Sequence, residues 1–129
     1  MSKRGWRVLH VEDDPSLQKL VRIALEQLGG YEVRSAGDGR KAIELARESR
    51  PDLFLLDLDL PEMDGVGTLA ALREIEGLCE APAVFLTAIA TPQVTQRLRS
   101  LGALDVLGKP FRPRDLVQSL NRALGQALA

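Results

Sequence analysis

A chain of 129 residues with 17 basic and 18 acidic side chains, formal net charge −1, has room for one domain that buries roughly two thirds of the surface its unfolded form exposes. So balanced a charge sets up no long-range field toward nucleic acid or anionic lipid and argues against direct DNA binding. Cys79 is the only cysteine, which excludes an internal disulfide and suits a reducing compartment. Met1 to Gly5 lead straight into a strand instead of a signal-peptide core, and no apolar run approaches membrane-spanning length, so a soluble, cytoplasmic protein without membrane association is expected.

The first strand is the branched run Val8 to Val11. Asp14-Pro15 then opens a helix, the acid as a capping acceptor and the proline with its preset φ in the first turn. Its residues Leu17, Leu20, Val21, Ala24, Leu25 and Leu28 recur at helical spacing and are expected to pack on a sheet, with Gly29-Gly30 as the stop. Tyr31 to Ser35 alternates and reads as an edge strand. A second helix, from about Gly39 to Glu48, should bury Ala42, Ile43, Leu45 and Ala46 before Pro51 closes it. Leu53 to Leu56 is the third strand. Asp64 caps a third helix that carries Val66, Leu69, Leu72 and Ile75. Ala83 to Leu86 is the fourth strand. Thr91-Pro92 opens a fourth helix with Val94, Leu98 and Leu101 on one side, stopped by Gly102. Leu104 to Leu107 forms the fifth strand, and the fifth helix runs from about Pro113 with Leu116, Val117, Leu120 and Leu124 inward. Five alternations of strand and helix without a linker imply one α/β domain over residues 1–129, a doubly wound parallel sheet with helices on both faces.

The runs at Val8, Leu53, Ala83 and Leu104 are short and continuous, as strands buried on both faces should be. Each ends on a reactive group: Glu12-Asp13, Asp57, Thr87 and Lys109-Pro110. If the strands are parallel, their carboxyl ends meet along one edge, where open α/β sheets place ligands. Clustered carboxylates repel one another and call for a divalent cation with oxygen ligands. An ammonium and a hydroxyl facing that cation suggest an anionic group held between them, so the chemistry is phosphoryl transfer with a carboxylate as acceptor.

The segments VLHVEDDP, PDLFLLDLDLPEMDG, VFLTA and LGKPF, in this order over the whole chain, resemble the receiver domain of bacterial two-component response regulators (CheY-like). The resemblance implies a flavodoxin-like, five-stranded sheet of order 2-1-3-4-5. It makes Asp57 the phosphoacceptor for a histidine kinase or a histidine phosphotransfer protein. It assigns Mg²⁺ to Asp13 directly, to Glu12 through water, to Asp57, and to the backbone carbonyl of Asp59. Lys109 and Thr87 would each hold a phosphoryl oxygen, and Ala88 would leave room for the phosphodonor. Lys109-Pro110 would be a cis peptide that aims the lysine inward. Output would pass to a downstream protein partner or an attached output domain, and two copies could pair through the face of the fourth helix, fifth strand and fifth helix. One departure stands out: the family commonly has an aromatic switch residue three positions before the lysine, and this chain has Val106. Asp59 can look into the site and influence the lifetime of the phosphoryl group.

Several of these residues also have plainer readings. Asp14 and Asp64 read as helix caps, and His10 as a packed mid-strand residue. Taken singly, Asp57 would be a turn acid, Thr87 a strand residue and Lys109 a surface charge. Asp57-Leu58-Asp59 also resembles the D-x-D of haloacid dehalogenase-type phosphatases, which start their chains with the motif and follow it with Gly-Thr, not Leu-Pro. A flavodoxin would need a phosphate-binding loop after the first strand, where acids stand here. A degenerate, unphosphorylated scaffold is disfavoured by the complete set of acids, threonine and lysine.

Overall fold

In the computed structural model, which describes residues 5–60 and 64–128, ten elements alternate along the chain. They are β1 (Arg7–Val11), α1 (Pro15–Gly29), β2 (Glu32–Ala36), α2 (Gly39–Glu48), β3 (Leu53–Asp57), α3 (Gly65–Arg73), β4 (Ala83–Thr87), α4 (Pro92–Ser100), β5 (Asp105–Gly108) and α5 (Pro113–Leu128). All strand pairs are parallel and the order is β2-β1-β3-β4-β5, as the resemblance implied. Residues 61–63 of the longest motif lie outside the described residues.

The continuous apolar runs explain the centre of the sheet. Every residue of β3 and β4 is buried, and alternate side chains divide between two cores. On one face Leu9, Val11, Phe54, Leu56 and Phe85 join residues of α2, α3 and α4; on the other, Val8, Leu53, Leu55, Val84 and Leu86 join α1 and α5. The helix starts have the expected chemistry. The Asp14, Asp64 and Thr91 side chains accept from Ser16 N (2.9 Å), Gly67 N (2.7 Å) and Val94 N (3.2 Å). Asp38, not expected from the sequence, caps α2 by accepting from Lys41 N at 2.8 Å. Gly30 ends α1 in the left-handed region, φ 72°, where glycine carries no Cβ penalty.

Five expectations need correction. β5 spans Asp105–Gly108, one residue later than read, and is half-buried throughout, because it is the last strand of the sheet with one edge unpaired. On α1, Leu20 (46 %) and Leu28 (63 %) are exposed: the core-facing stripe is Val21, Ala24 and Leu25, narrower than the apolar periodicity suggested. Leu101 lies one residue beyond α4 and is 43 % exposed. Ile75 lies past the end of α3 yet still packs on the core. β2 begins at Glu32, with Tyr31 before it, buried and donating its hydroxyl to Asn121 Oδ1 at 2.6 Å.

Candidate functional site

Parallel strands in register bring their carboxyl ends to one edge. Val11 pairs with Leu56, Asp57 with Leu86, and Thr87 with Gly108, so the groups just past those positions converge. Asp57 (4 %) and Glu12 (2 %) are buried, while Asp13 is exposed at the rim. Lys109 reaches in from the end of β5 and sets its Nζ 3.1 Å from Asp57 Oδ1 and 3.3 Å from Glu12 Oε1. The Lys109-Pro110 peptide is cis. Asp59 is exposed, and its backbone N–H donates to Asp57 Oδ1 at 3.3 Å. Among the described residues both contacts to Asp57 therefore fall on Oδ1.

The electrostatics follow from burial. The Glu12 carboxyl is pushed up to about 7, first by burial and then by the charge of Asp57. The Asp14 N–H at 3.2 Å and Lys109 offset only part of this. Burial works against the Lys109 ammonium, but its hydrogen bond to Asp57 and the charges of Glu12 and Asp57 outweigh that, so its pKa is raised and it stays charged. One oxygen from each of Glu12, Asp13 and Asp57 lies within 4.8 Å of the others. Three hard carboxylate donors, two of them buried and countered by a single ammonium, fit a small divalent cation that keeps several of its waters. Gln18 Nε2 donates to the Glu12 carbonyl and holds the strand end in place.

Thr87 is buried at 2 %. Its Oγ accepts from Ile89 N at 3.1 Å and donates to Ile89 O at 3.4 Å, so the hydroxyl is engaged with the following loop. Ala88 is exposed beside it. Val106, register partner of Phe85, is partly buried and packs into the core on the α2, α3 and α4 face.

His10, mid-strand in β1, is fully buried, and neither ring nitrogen has a partner among the described residues. Burial first, then Lys109 and Arg22, hold its pKa down at about 3, so the ring is neutral. Sequence reasoning missed Gln18, whose contact spans six residues. It also missed Asp105, on which Arg99, Ser119 and Arg122 converge at 3.1, 2.7 and 3.0 Å; three residues from three different positions along the chain leave no local signal.

Comparisons with known proteins agree with this geometry. Residues 8–121 match the response regulator receiver domain. The DNA-binding response regulator MtrA of Mycolicibacterium smegmatis is 43 % identical over 125 residues, 96 % of this chain and 53 % of its own length. The chain thus spans about half the length of that curated relative. Chemotaxis protein CheY4 of Vibrio cholerae has a TM-score of 0.86 at 34 % identity, over 92 % of this chain and 98 % of its own. The receiver domain of sensor histidine kinase PA1611 from Pseudomonas aeruginosa has a TM-score of 0.82 at 34 % identity, over 94 % and 98 % of the two chains; its structure holds a magnesium ion coordinated in the active-site cleft. No helix among the described residues is long and apolar enough to cross a membrane. With a profile match over most of its length, the expected sheet order and an acidic cluster where the strands end, this chain belongs to the response regulator receiver domain family of two-component signalling.

Proposed function

We propose that Asp57 accepts a phosphoryl group from the phosphohistidine of a histidine kinase or histidine phosphotransfer protein. The observation that carries this is the buried Asp57 carboxylate at the end of β3, with the Lys109 ammonium 3.1 Å away and the oxygens of Glu12 and Asp13 beside it. An Asp57 oxygen attacks phosphorus, the phosphorus–nitrogen bond to the donor imidazole breaks, and the imidazole leaves with that electron pair and takes up a proton. Oδ1 already receives Lys109 and the Asp59 amide, which leaves Oδ2 to attack. Glu12, Asp13, Asp57 and the Asp59 carbonyl would hold Mg²⁺, which when bound neutralises charge on the phosphoryl oxygens.

Lys109 then pairs with one phosphoryl oxygen. Thr87 hydrogen-bonds another by giving up Ile89, and exposed Ala88 leaves the donor a path. Release of Ile89 moves the loop before α4. Val106 has few χ1 states and packs in the core, so it does not sweep as a ring would, and the loop and α4 carry the change. The α4, β5 and α5 face then meets a downstream protein, an attached output domain or a second copy. Residues 1–129 act as one cytoplasmic receiver domain that catalyses only its own phosphorylation and dephosphorylation, with Asp59 at the mouth of the site tuning how long the phosphoryl group survives. Incubation with Mg²⁺ and acetyl phosphate should add one phosphoryl mass, lost in alkali or hydroxylamine as an acyl phosphate must be. Asp57→Asn should add none, and labelling of that variant at the wild-type level would overturn the assignment.

A further inference from the structure

Between α3 and α4, away from the acidic cluster, a pocket of about 200 Å³ is lined by Val66, Leu69, Ala70, Arg73, Phe85 and Leu101. Four of these are large apolar side chains, and Leu101 stands 43 % exposed at it. Arg73 is the anomaly. Its NH1 and NH2 donate to the Leu101, Ala81 and Gly102 carbonyls at 3.4, 3.3 and 3.2 Å. All three acceptors are neutral, and Arg73 forms no ion pair with a carboxylate among the described residues. Its Nε is buried with no acceptor among them. A half-buried guanidinium with no carboxylate partner carries an uncompensated charge that an oxyanion at its exposed edge would offset.

The chain has kept room for the cation. Gly102 takes φ +103°, and a Cβ there would collide with Arg73 NH1. An apolar pocket of roughly 150 Å³ is enough to hold one benzene ring, so this one has space for a ring, with the Arg73 guanidinium group at its edge.

We propose that this pocket binds a small apolar carboxylate, an aromatic acid of one ring, with the ring on Leu69, Phe85 and Leu101 and the carboxylate on Arg73. This site is separate from the phosphoacceptor and does not depend on its assignment. Such a ligand would bridge the side of α3 and the end of α4 through Phe85, the register partner of Val106, so it would bear on the helix that carries the output.

Methyl and amide NMR titration of the full chain with benzoate, without Mg²⁺ or phosphodonor, tests this directly. Saturable shifts should centre on Leu69, Arg73 and Leu101, with benzyl alcohol about tenfold or more weaker because it lacks the charge-assisted contact. Arg73→Gln should abolish the preference for benzoate over the alcohol. Since Arg73 also ties three carbonyls, Ala70→Leu provides a second variant: it fills the pocket from an exposed helix position and should remove binding of both compounds. The proposal is overturned if benzoate gives no saturable shifts, if they centre on the separate groove of Leu28 and Val117, if the alcohol binds as tightly, or if Ala70→Leu leaves binding unchanged.

Discussion

Magnesium binding should be strongly pH-dependent near neutrality, and Glu12 sets the dependence. Its carboxyl is 2 % exposed and its pKa stands at about 7 instead of 4.5, chiefly through burial and then through Asp57. A divalent cation requires the ionised cluster, so below that pKa each binding event must expel a proton. With the pKa at about 7, roughly nine-tenths of Glu12 is ionised at pH 8 and roughly one-tenth at pH 6. Apparent affinity should then fall roughly tenfold from pH 8 to pH 6, about 1.4 kcal/mol. Isothermal titration calorimetry in two buffers of different ionisation enthalpy would report both the affinity and the proton released, close to one at pH 6 and close to none at pH 8.5. Glu12→Gln should flatten the profile. The same shift acts on stability: a raised folded pKa contributes stability that is full below 4.5 and is lost as pH rises through about 7, so saturating Mg²⁺ should stabilise most on the alkaline side. An affinity that is level from pH 6 to pH 8 in the wild type, or a slope that survives in Glu12→Gln, would refute this origin of the proton.

His10 gives the opposite linkage: its folded pKa of about 3 lies below the ordinary 6.5, so stability is lost as pH falls below 6.5. His10→Val should be at least as stable as the wild type at pH 8 and gain about 2 kcal/mol more at pH 5; urea unfolding that shows a loss at both values would contradict an unpartnered ring. Asp105→Ala should cost about 1–3 kcal/mol, because buried Ser119 loses its acceptor. Arg122→Ala, which removes a 62 % exposed partner from the same hub, should cost less than about 1 kcal/mol, and equal thermal shifts for the two would refute that ordering. Gly65→Ala should cost about 1–3 kcal/mol and slow phosphorylation, since a Cβ at 65 would press on the Asp57 carbonyl, with Leu58 Cα and the Phe85 ring both at 3.0 Å; an unchanged melting temperature would show that the β3–α3 turn yields freely.

What the sequence made legible was what is local or periodic. Branched runs gave the buried strands, and Asp14, Asp64 and Thr91 gave helix starts. Parallel alternation alone forced Glu12, Asp57, Thr87 and Lys109 to a common edge. Periodicity overstated α1, where Leu20 and Leu28 repeat at helical spacing yet stay outside, because only a narrow stripe of one helix meets the sheet beside α5. Continuity also misjudged β5: an apolar run looks the same whether its strand is central or at an edge. Arg73 and Asp105 were invisible because their partners, Ala81, Leu101 and Gly102 in one case and Arg99, Ser119 and Arg122 in the other, belong to separate turns and helices. The engagement of Thr87 with Ile89 and the orphaned nitrogens of His10 are likewise facts of packing, since neither residue differs in type from an ordinary strand position.

The most direct measurement is to locate the phosphoryl group itself. Borohydride reduces an aspartyl phosphate to homoserine, so the chain phosphorylated with acetyl phosphate and Mg²⁺ can be reduced, digested and mapped by mass spectrometry. The expected result is homoserine at Asp57 and at no other acid, in keeping with a buried carboxylate that alone has Lys109 at 3.1 Å and the oxygens of Glu12 and Asp13 at hand. Homoserine at Asp13 or Asp59 in its place, or none after saturating treatment, would contradict the assignment of the phosphoacceptor.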